Sequence, residues 1–468
     1  MQQNNETTTD ASEAVESLEN LGYRQELRRS MSLLDVVVYG LIYMVPLAPL
    51  AVFGIIYNFS NGMPALVYVV AAIAMVFSAL SYKEMAKRFP IAGSVYSYVR
   101  FGINKAFGFL AGWAILLDYL LLPALLSVFA AAAMSSLVPG IPEFVWVIVF
   151  VVLAATINMR GIRITANMNK LFLAIQLVVL AIFVVGSLVA VAEGRGAFSL
   201  DPLFQLEGFS WAIVFGAIPI AALSFIGFDA ISTLNEEARG GGEAVSKATI
   251  IVLIAVTVIF VLQVYLAAIF VPTGTQFAEG NDTNNAFYVL SGTIVGEWFR
   301  IVVTLTSALI AIFANSLASQ ATSSRLIFSM ARDGQLPRVL SKVSSHQVPK
   351  NALLLIAGLS LVIGILGTSQ QELLTTLVTF GALTAYIMLN VAVIVQFGVR
   401  QKSKNFFLHW VSPVLGSAVL IYALIHTSTL TKVLGISWLV IGSFLAVYWS
   451  RKPGRIDGLT QRPSAHDR

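Results

Sequence analysis

The sequence predicts an all-α integral membrane protein. Hydrophobic residues make up 57% of the 468, charged residues only 11%, and the mean hydropathy is +0.82. A soluble domain carries about a quarter charged residues. Apolar runs of the roughly 20 residues needed to cross a hydrocarbon core recur from residue 33 to residue 450.

The elements follow in chain order. The first 22 residues, MQQNNETTTDASEAVESLENLG, are polar and acidic and have no apolar h-region. No cleavable signal peptide is expected, and residues 1–22 read as a disordered cytoplasmic tail. Twelve spans are predicted, near 33–58, 63–86, 108–137, 142–158, 168–192, 211–235, 248–271, 299–323, 352–367, 373–397, 409–428 and 433–450. Residues 451–468 form a second polar tail. With these spans, every Lys and Arg except Arg195, Arg300 and Lys432 falls on one side. The positive-inside rule makes that side cytoplasmic. Both termini then lie inside a plasma (inner) membrane, which an even number of spans requires. The net charge of +5 reflects this topology and calls for no nucleic-acid partner.

Several chemistries are not expected. There is no cysteine, and His346, His409, His426 and His466 have no metal-site spacing. No GxxxxGK[ST] phosphate loop occurs. The intramembrane ionisable residues are two carboxylates without a histidine, which leaves no nucleophile–base pair for a membrane enzyme. The reading therefore includes no catalytic residue, metal or cofactor. A channel built around a selectivity ring and a non-transporting sensor are distant alternatives.

Two spans are interrupted by their own residues. Span 1, DVVVYGLIYMVPLAPLAVFG, holds Gly40, Pro46, Pro49 and Gly54; span 6, WAIVFGAIPIAALSFIGFDAISTL, holds Gly216, Pro219 and Gly227. Proline removes a backbone donor and glycine loosens the helix. Non-helical backbone at membrane depth is tolerated where protein buries it or it lines a watery cavity. Interrupted helices at matching positions of two inverted halves point to the binding site of a secondary transporter.

At these residues the chain resembles the amino acid–polyamine–organocation (APC) permeases, and within them the bacterial putrescine-importer-like branch. The likeness is carried by YGLIYMVPLAPLAVFG (39–54), ALSYKEMAKRFPIAGSVYSYV (79–99), SFIGFDAISTLNEE (224–237) and SRLIFSMARDGQLP (324–337), with GWAILLDYLLLP (112–123) and LVTFGALTAYIMLN (377–390) adding to it. It covers residues from about 24 to 450. The resemblance implies a five-plus-five inverted repeat of the LeuT type: helices 1–5 in residues 23–200, helices 6–10 in 201–398, and helices 11 and 12 in 399–450. It places the substrate between the broken parts of spans 1 and 6, against spans 3, 8 and 10. The loop 272–297 would be the inverted counterpart of 89–107.

The binding residues implied are Tyr43, Met44, Val45 and Pro46 at the first break, and Ser224, Phe225, Ile226 and Gly227 at the second. Half-helix ends there attract the ionic groups of a solute. Phe225 and Phe228 are candidate walls for an ammonium group. Many family members have a Gly-Ser/Thr-Gly-like motif where this chain has Met-Val-Pro, which moves the reading away from an ordinary α-amino acid. Asn315, Ser316 and Ser319 of span 8 are further candidates.

Asp229 follows the second break by two residues. The charged form of a carboxylate is disfavoured in low dielectric and favoured in water, so a carboxyl that alternates between the two can carry a proton. By resemblance this position holds an acid associated with proton coupling. Asp118 lies about 15 Å into span 3 at helical rise, where an ionisable residue is a functional candidate by default. One carboxylate per ammonium is what a diamine needs. Glu236 and Glu237 are expected to face water or pair with Arg239. Gln176 stands where some relatives have a sodium-replacing lysine. Ala51 stands where the putrescine branch often has an aspartate. The sequence thus predicts a proton-coupled importer of a small amine-bearing solute, a polyamine such as putrescine, with a neutral amino acid as the alternative. Its partners are protons, that solute and the lipid bilayer. Import rather than exchange rests on the branch resemblance.

Overall fold

A computed structural model describes residues 27, 29–137, 140–160, 162–206, 208–278, 281–307, 312–345, 347–368, 370–425, 427 and 429–450. The predicted tails, 1–22 and 451–468, lie outside them, as do His346, His426 and His466. The described residues are helical, without a strand; one isolated bridge pairs Met31 with Ala238.

Helices α1 (Leu33–Met44) and α2 (Ala48–Phe59) form one bent pair; α3 is Pro64–Arg88, α4 Ser94–Gly102, α5 Lys105–Leu137, α6 Glu143–Met159 and α7 Ile162–Ala192. Then come α8 (Trp211–Phe225), a 3₁₀ turn over Phe228–Leu234, α9 (Gly241–Ala268), α10 (Asn281–Ile294), α11 (Glu297–Leu305) and α12 (Ile312–Arg332). The last four are α13 (Lys350–Leu366), α14 (Gln371–Val393), α15 (Ser412–Ile425) and α16 (Thr429–Ser450). Among the described residues seven helical segments are long and apolar enough to cross a membrane, and the pair α1–α2, bent by 43°, makes an eighth. The predicted ranges 142–158 and 352–367 are occupied by 17-residue apolar helices. The loop 272–297 differs from its reading as loop, because most of it is α10.

α5 is central, packed against α4, α6, α12, α13, α14 and α16, while α9 packs against α1, α3 and the 3₁₀ turn. Gly381 of α14 permits the α5–α14 contact. A Cβ there would meet the backbone of Ala114 and Asp118 at 2.8–2.9 Å.

Local chemistry explains the ends of the broken elements. α1 opens with a reciprocal cap: Ser32 Oγ accepts from the Asp35 N–H (3.2 Å), and Asp35 Oδ2 accepts from the Ser32 N–H (2.9 Å). Asp35 also pairs with Lys170 of α7 at 2.5 Å. α1 ends where Val45 adopts φ 52°. A β-branched residue there is strained by about 1–3 kcal/mol, and Pro46 has no N–H with which to continue the helix. In the second broken element Pro219 does not interrupt; α8 runs through it to Phe225. The interruption comes at Gly227, with φ 124°. The break falls at the predicted residues Ser224, Phe225, Ile226 and Gly227, and α8 with the turn after it makes up the interrupted span read over 211–235.

Beyond that turn the sequence expectation for Glu236 and Glu237 is corrected. Both are buried, and among the described residues they pair with Arg332 and Arg325 rather than Arg239. Glu236 takes two hydrogen bonds from Arg332 (2.9 and 2.7 Å) and one from the Ala92 N–H (2.9 Å). Glu237 forms a fork with Arg325, through Nε and through Nη2 at 3.1 Å. The carbonyl of Glu237 accepts from the N–H groups of Ser30 and Met31, each at 3.1 Å, and the Arg239 N–H donates to Met31 (2.8 Å). A carboxylate withdrawn from water needs such partners. The motif SRLIFSMARDGQLP supplies them, so it acts as a structural element.

Candidate functional site: a buried carboxylate pair at the two helix breaks

The two breaks meet. A Cβ added to Gly227 would collide with the ring of Tyr43. The predicted residues Tyr43 and Gly227 are therefore in contact, and glycine is needed both for its positive φ and for that approach. Met44 and Pro46 are buried beside Tyr43, Val45 is half-buried, and the Pro46 carbonyl accepts from Gln263 Nε2 of α9 (3.0 Å).

Asp118 on α5 and Asp229 at the start of the 3₁₀ turn are both 0% exposed. Each lies within electrostatic reach of Tyr43, and Asp118 within reach of Asp229. Their surroundings differ. Asp229 accepts at Oδ2 from the Tyr119 hydroxyl of α5 and at Oδ1 from the Tyr386 hydroxyl of α14, the latter at 2.5 Å. Asp118 has no hydrogen-bond partner at either carboxyl oxygen among the described residues, and the Tyr43 hydroxyl has none either. Buried polar atoms are usually paired, and those that are not call for a functional account.

An aromatic shell closes the site. Phe228 packs against Tyr82 (5.4 Å between ring centroids) and Tyr386 (5.2 Å). Phe228 is thus at the carboxylate pair, whereas Phe225 sits elsewhere. Phe225 packs on Tyr68 (6.1 Å) and Phe260 (5.2 Å), and its neighbour Ser224 bonds the Tyr68 hydroxyl at 3.0 Å. Ile226 is buried next to the break. Ser319 is buried, and its hydroxyl bonds the Ser316 carbonyl within α12 (3.1 Å). Contact from α12 to the site runs through Ser323, whose hydroxyl donates to the Tyr119 carbonyl at 2.5 Å. Asn315 is buried with its amide oxygen unpaired among the described residues.

Ala51 is exposed on α2. The position read as a lost carboxylate therefore does not face the buried pair. Gln176 is fully buried on α7 with both amide atoms unpaired among the described residues, as is Asn169 seven residues earlier. Among the described residues no group of three His, Cys, Asp or Glu side chains has a metal-binding arrangement.

Tyr119, Tyr386, Tyr82 and Ser323 were not singled out from the sequence. Tyr119 adjoins Asp118, and Tyr386 lies in LVTFGALTAYIMLN. A tyrosine inside an apolar span near an intramembrane acid is the signal that points to such a partner.

Comparison with known families decides the class. A family model described as amino acid permease matches residues 36–450. The chain belongs to the amino acid permease family. It is a multi-pass membrane transporter and not an enzyme. The permease is 29% identical over 428 residues to the low-affinity putrescine importer PlaP of Escherichia coli, across 90% of this chain and 93% of the importer. It is 26% identical over 422 residues to the branched-chain amino acid permease BcaP of Bacillus subtilis, across 83% of this chain and 86% of that one. It is also 31% identical over 382 residues to an uncharacterised transporter of Mycobacterium bovis, covering 78% and 80% of the two chains.

Proposed function

We propose that the permease is a proton-coupled importer of a polyamine such as putrescine. The observation that carries this reading is Asp118, a fully buried carboxyl with neither oxygen paired among the described residues. An unpaired buried carboxylate costs several kcal/mol, so it calls for a proton or a cation. A primary ammonium brings three donors and a positive charge. The Tyr43 hydroxyl, also unpaired, is a second acceptor beside it. The likeness to a putrescine importer agrees in solute class.

Asp229 is the proposed proton carrier. As an anion it holds Tyr119 of α5 and Tyr386 of α14 against the turn after the second break. When protonated it becomes a donor and gives up acceptor capacity. The bonds from the two tyrosines then lose their charge assistance and weaken, which loosens α5 and α14 from the broken element. The proton is thereby linked to opening without moving far from the solute. In this reading the chain has twelve spans, with the five-plus-five inverted repeat, both termini on the basic cytoplasmic side, and helices 11 and 12 outside the repeat.

A neutral amino acid is the second reading. It is favoured by Ala51, where the putrescine branch often has an aspartate, and by the likeness to a branched-chain amino acid permease. The deciding experiment is uptake of radiolabelled putrescine into proteoliposomes with an acidic exterior, with unlabelled amino acids as competitors. Saturable uptake that disappears with the proton gradient and ignores the amino acids is expected. Leucine uptake without putrescine uptake would overturn the polyamine assignment.

A further inference from the structure

A cavity separate from the carboxylate pair lies on the face opposite the basic loops. Its volume is about 310 Å³. Its walls are the outer end of α2 at Tyr57 and Gly62, the segment carrying Arg195, Ser199 and Asp201, and the chain leaving α9 from Ala268 to Thr273. None of the residues assigned to the carboxylate site lines it.

The charge balance of this cavity favours a cation. Arg195 is already committed. Its Nε and Nη2 bind Glu193 (2.9 and 2.8 Å), and its Nη1 donates to the carbonyls of Thr293 and Ile294 (3.3 and 2.9 Å). The Asp201 carboxylate makes no hydrogen bond or ion pair among the described residues; its local contacts are backbone ones, N–H to Ser199 Oγ (3.1 Å) and carbonyl from Gln205 (3.3 Å). Glu193, Arg195 and Asp201 together leave one negative charge. α9 ends at this cavity, and a helix C-terminus adds partial negative charge. Tyr57 lies within electrostatic reach of Asp201 and offers a hydroxyl oxygen and a ring held by Phe277 (5.4 Å) and Phe53 (5.8 Å). A carboxylate, carbonyl ends and an aromatic ring are the groups that bind a primary ammonium.

We propose that this cavity is a second amine-binding site, which takes the ammonium of an aliphatic amine at Asp201 before that solute reaches the buried carboxylates. It sits at the outer end of α2, the second half of the bent pair. Occupancy here does not require Asp118, and the inference stands whether the permease carries a diamine or an amino acid.

The absence of cysteine gives a direct test. In the full-length protein in lipid nanodiscs, Thr273→Cys places the sole thiol at the cavity wall. Its modification by the cationic methanethiosulfonate ethylammonium is compared with that by the anionic ethylsulfonate reagent, each normalised to a free thiol. A preference of about fivefold for the cation is expected from one nearby charge, and it should shrink with added salt. Putrescine and n-butylamine should each slow the modification saturably. Adding Asp201→Asn should remove both the preference and the protection, while adding Asp118→Asn should leave both. No protection by either amine, or protection that survives Asp201→Asn, would overturn the proposal. Loss of protection in Asp118→Asn would also overturn it, because the signal would then come from the buried site, and the proposed function would still stand.

Discussion

Asp118 and Asp229 are equally buried, yet one has no donor and the other has two among the described residues. This contrast separates their roles. Asp118→Asn keeps the volume and removes the charge, so the protein should fold and its putrescine uptake should fall at least about 30-fold. That matches the loss of 2 kcal/mol or more when one partner of a buried charged pair is removed. Uptake kinetics measure it, and an equal loss of amino acid uptake would point to a folding role. Asp229→Asn should abolish accumulation driven by an acidic exterior while leaving exchange of labelled for unlabelled solute. Unchanged pH-driven accumulation in that variant would remove Asp229 from the coupling. The residue scale was half legible from sequence. An acid inside an apolar run is visible in a string of letters, but its partners are not. Tyr119 and Tyr386 are 267 residues apart in the chain and converge on one carboxylate only through packing of α5 against α14.

At the scale of elements the two breaks set the site. Val45 and Gly227 both adopt positive φ, and the second break is packed against Tyr43 of the first. Gly227→Ala would add a Cβ where Tyr43 stands, at a φ that costs an L-residue about 1–2 kcal/mol. The expected result is a lower thermal unfolding temperature and loss of uptake, whereas Ala in place of the exposed Gly358, which has no positive φ and where a Cβ meets nothing within 4 Å, should retain uptake. The interruptions were readable because Pro and Gly are local signals, and the family resemblance put the second break near Ser224, Phe225, Ile226 and Gly227, where α8 stops. That Pro219 leaves the helix intact was not readable, and α8 continues through it. A helix tolerates proline when its neighbours accommodate it, and the sequence does not show those neighbours. The sorting of Phe225 and Phe228 has the same cause. They are three residues apart, but the turn between them sends one to Tyr68 and the other to the carboxylate pair.

For the molecule as a whole, the basic side is fastened by Glu236–Arg332, Glu237–Arg325 and the strand-like contact of Met31 with Ala238. Arg100, Asp333 and Tyr96 extend the cluster. Glu237→Gln leaves the Arg325 guanidinium buried without its anion, and removing one partner of a buried pair costs about 3–5 kcal/mol. Thermal unfolding followed by intrinsic fluorescence should show the loss, and Arg325→Met added to it should recover part. Full stability in the single variant would show that the pair is solvated. Topology is tested on the same cysteine-free background: Lys342→Cys should react with an impermeant thiol reagent only from the cytoplasmic side, and Ser199→Cys only from outside. Composition and the sided distribution of Lys and Arg determined the membrane class, the approximate helix positions and the two suspect breaks, because hydrophobicity, charge and backbone restriction belong to single residues and short runs. Tertiary structure alone decided that Glu236 and Glu237 are interior anchors, that Asp229 is clamped while Asp118 is bare, and that Ala51 faces away. Each of these depends on which side chains from distant segments share one small volume, and only the packing of the helices sets that.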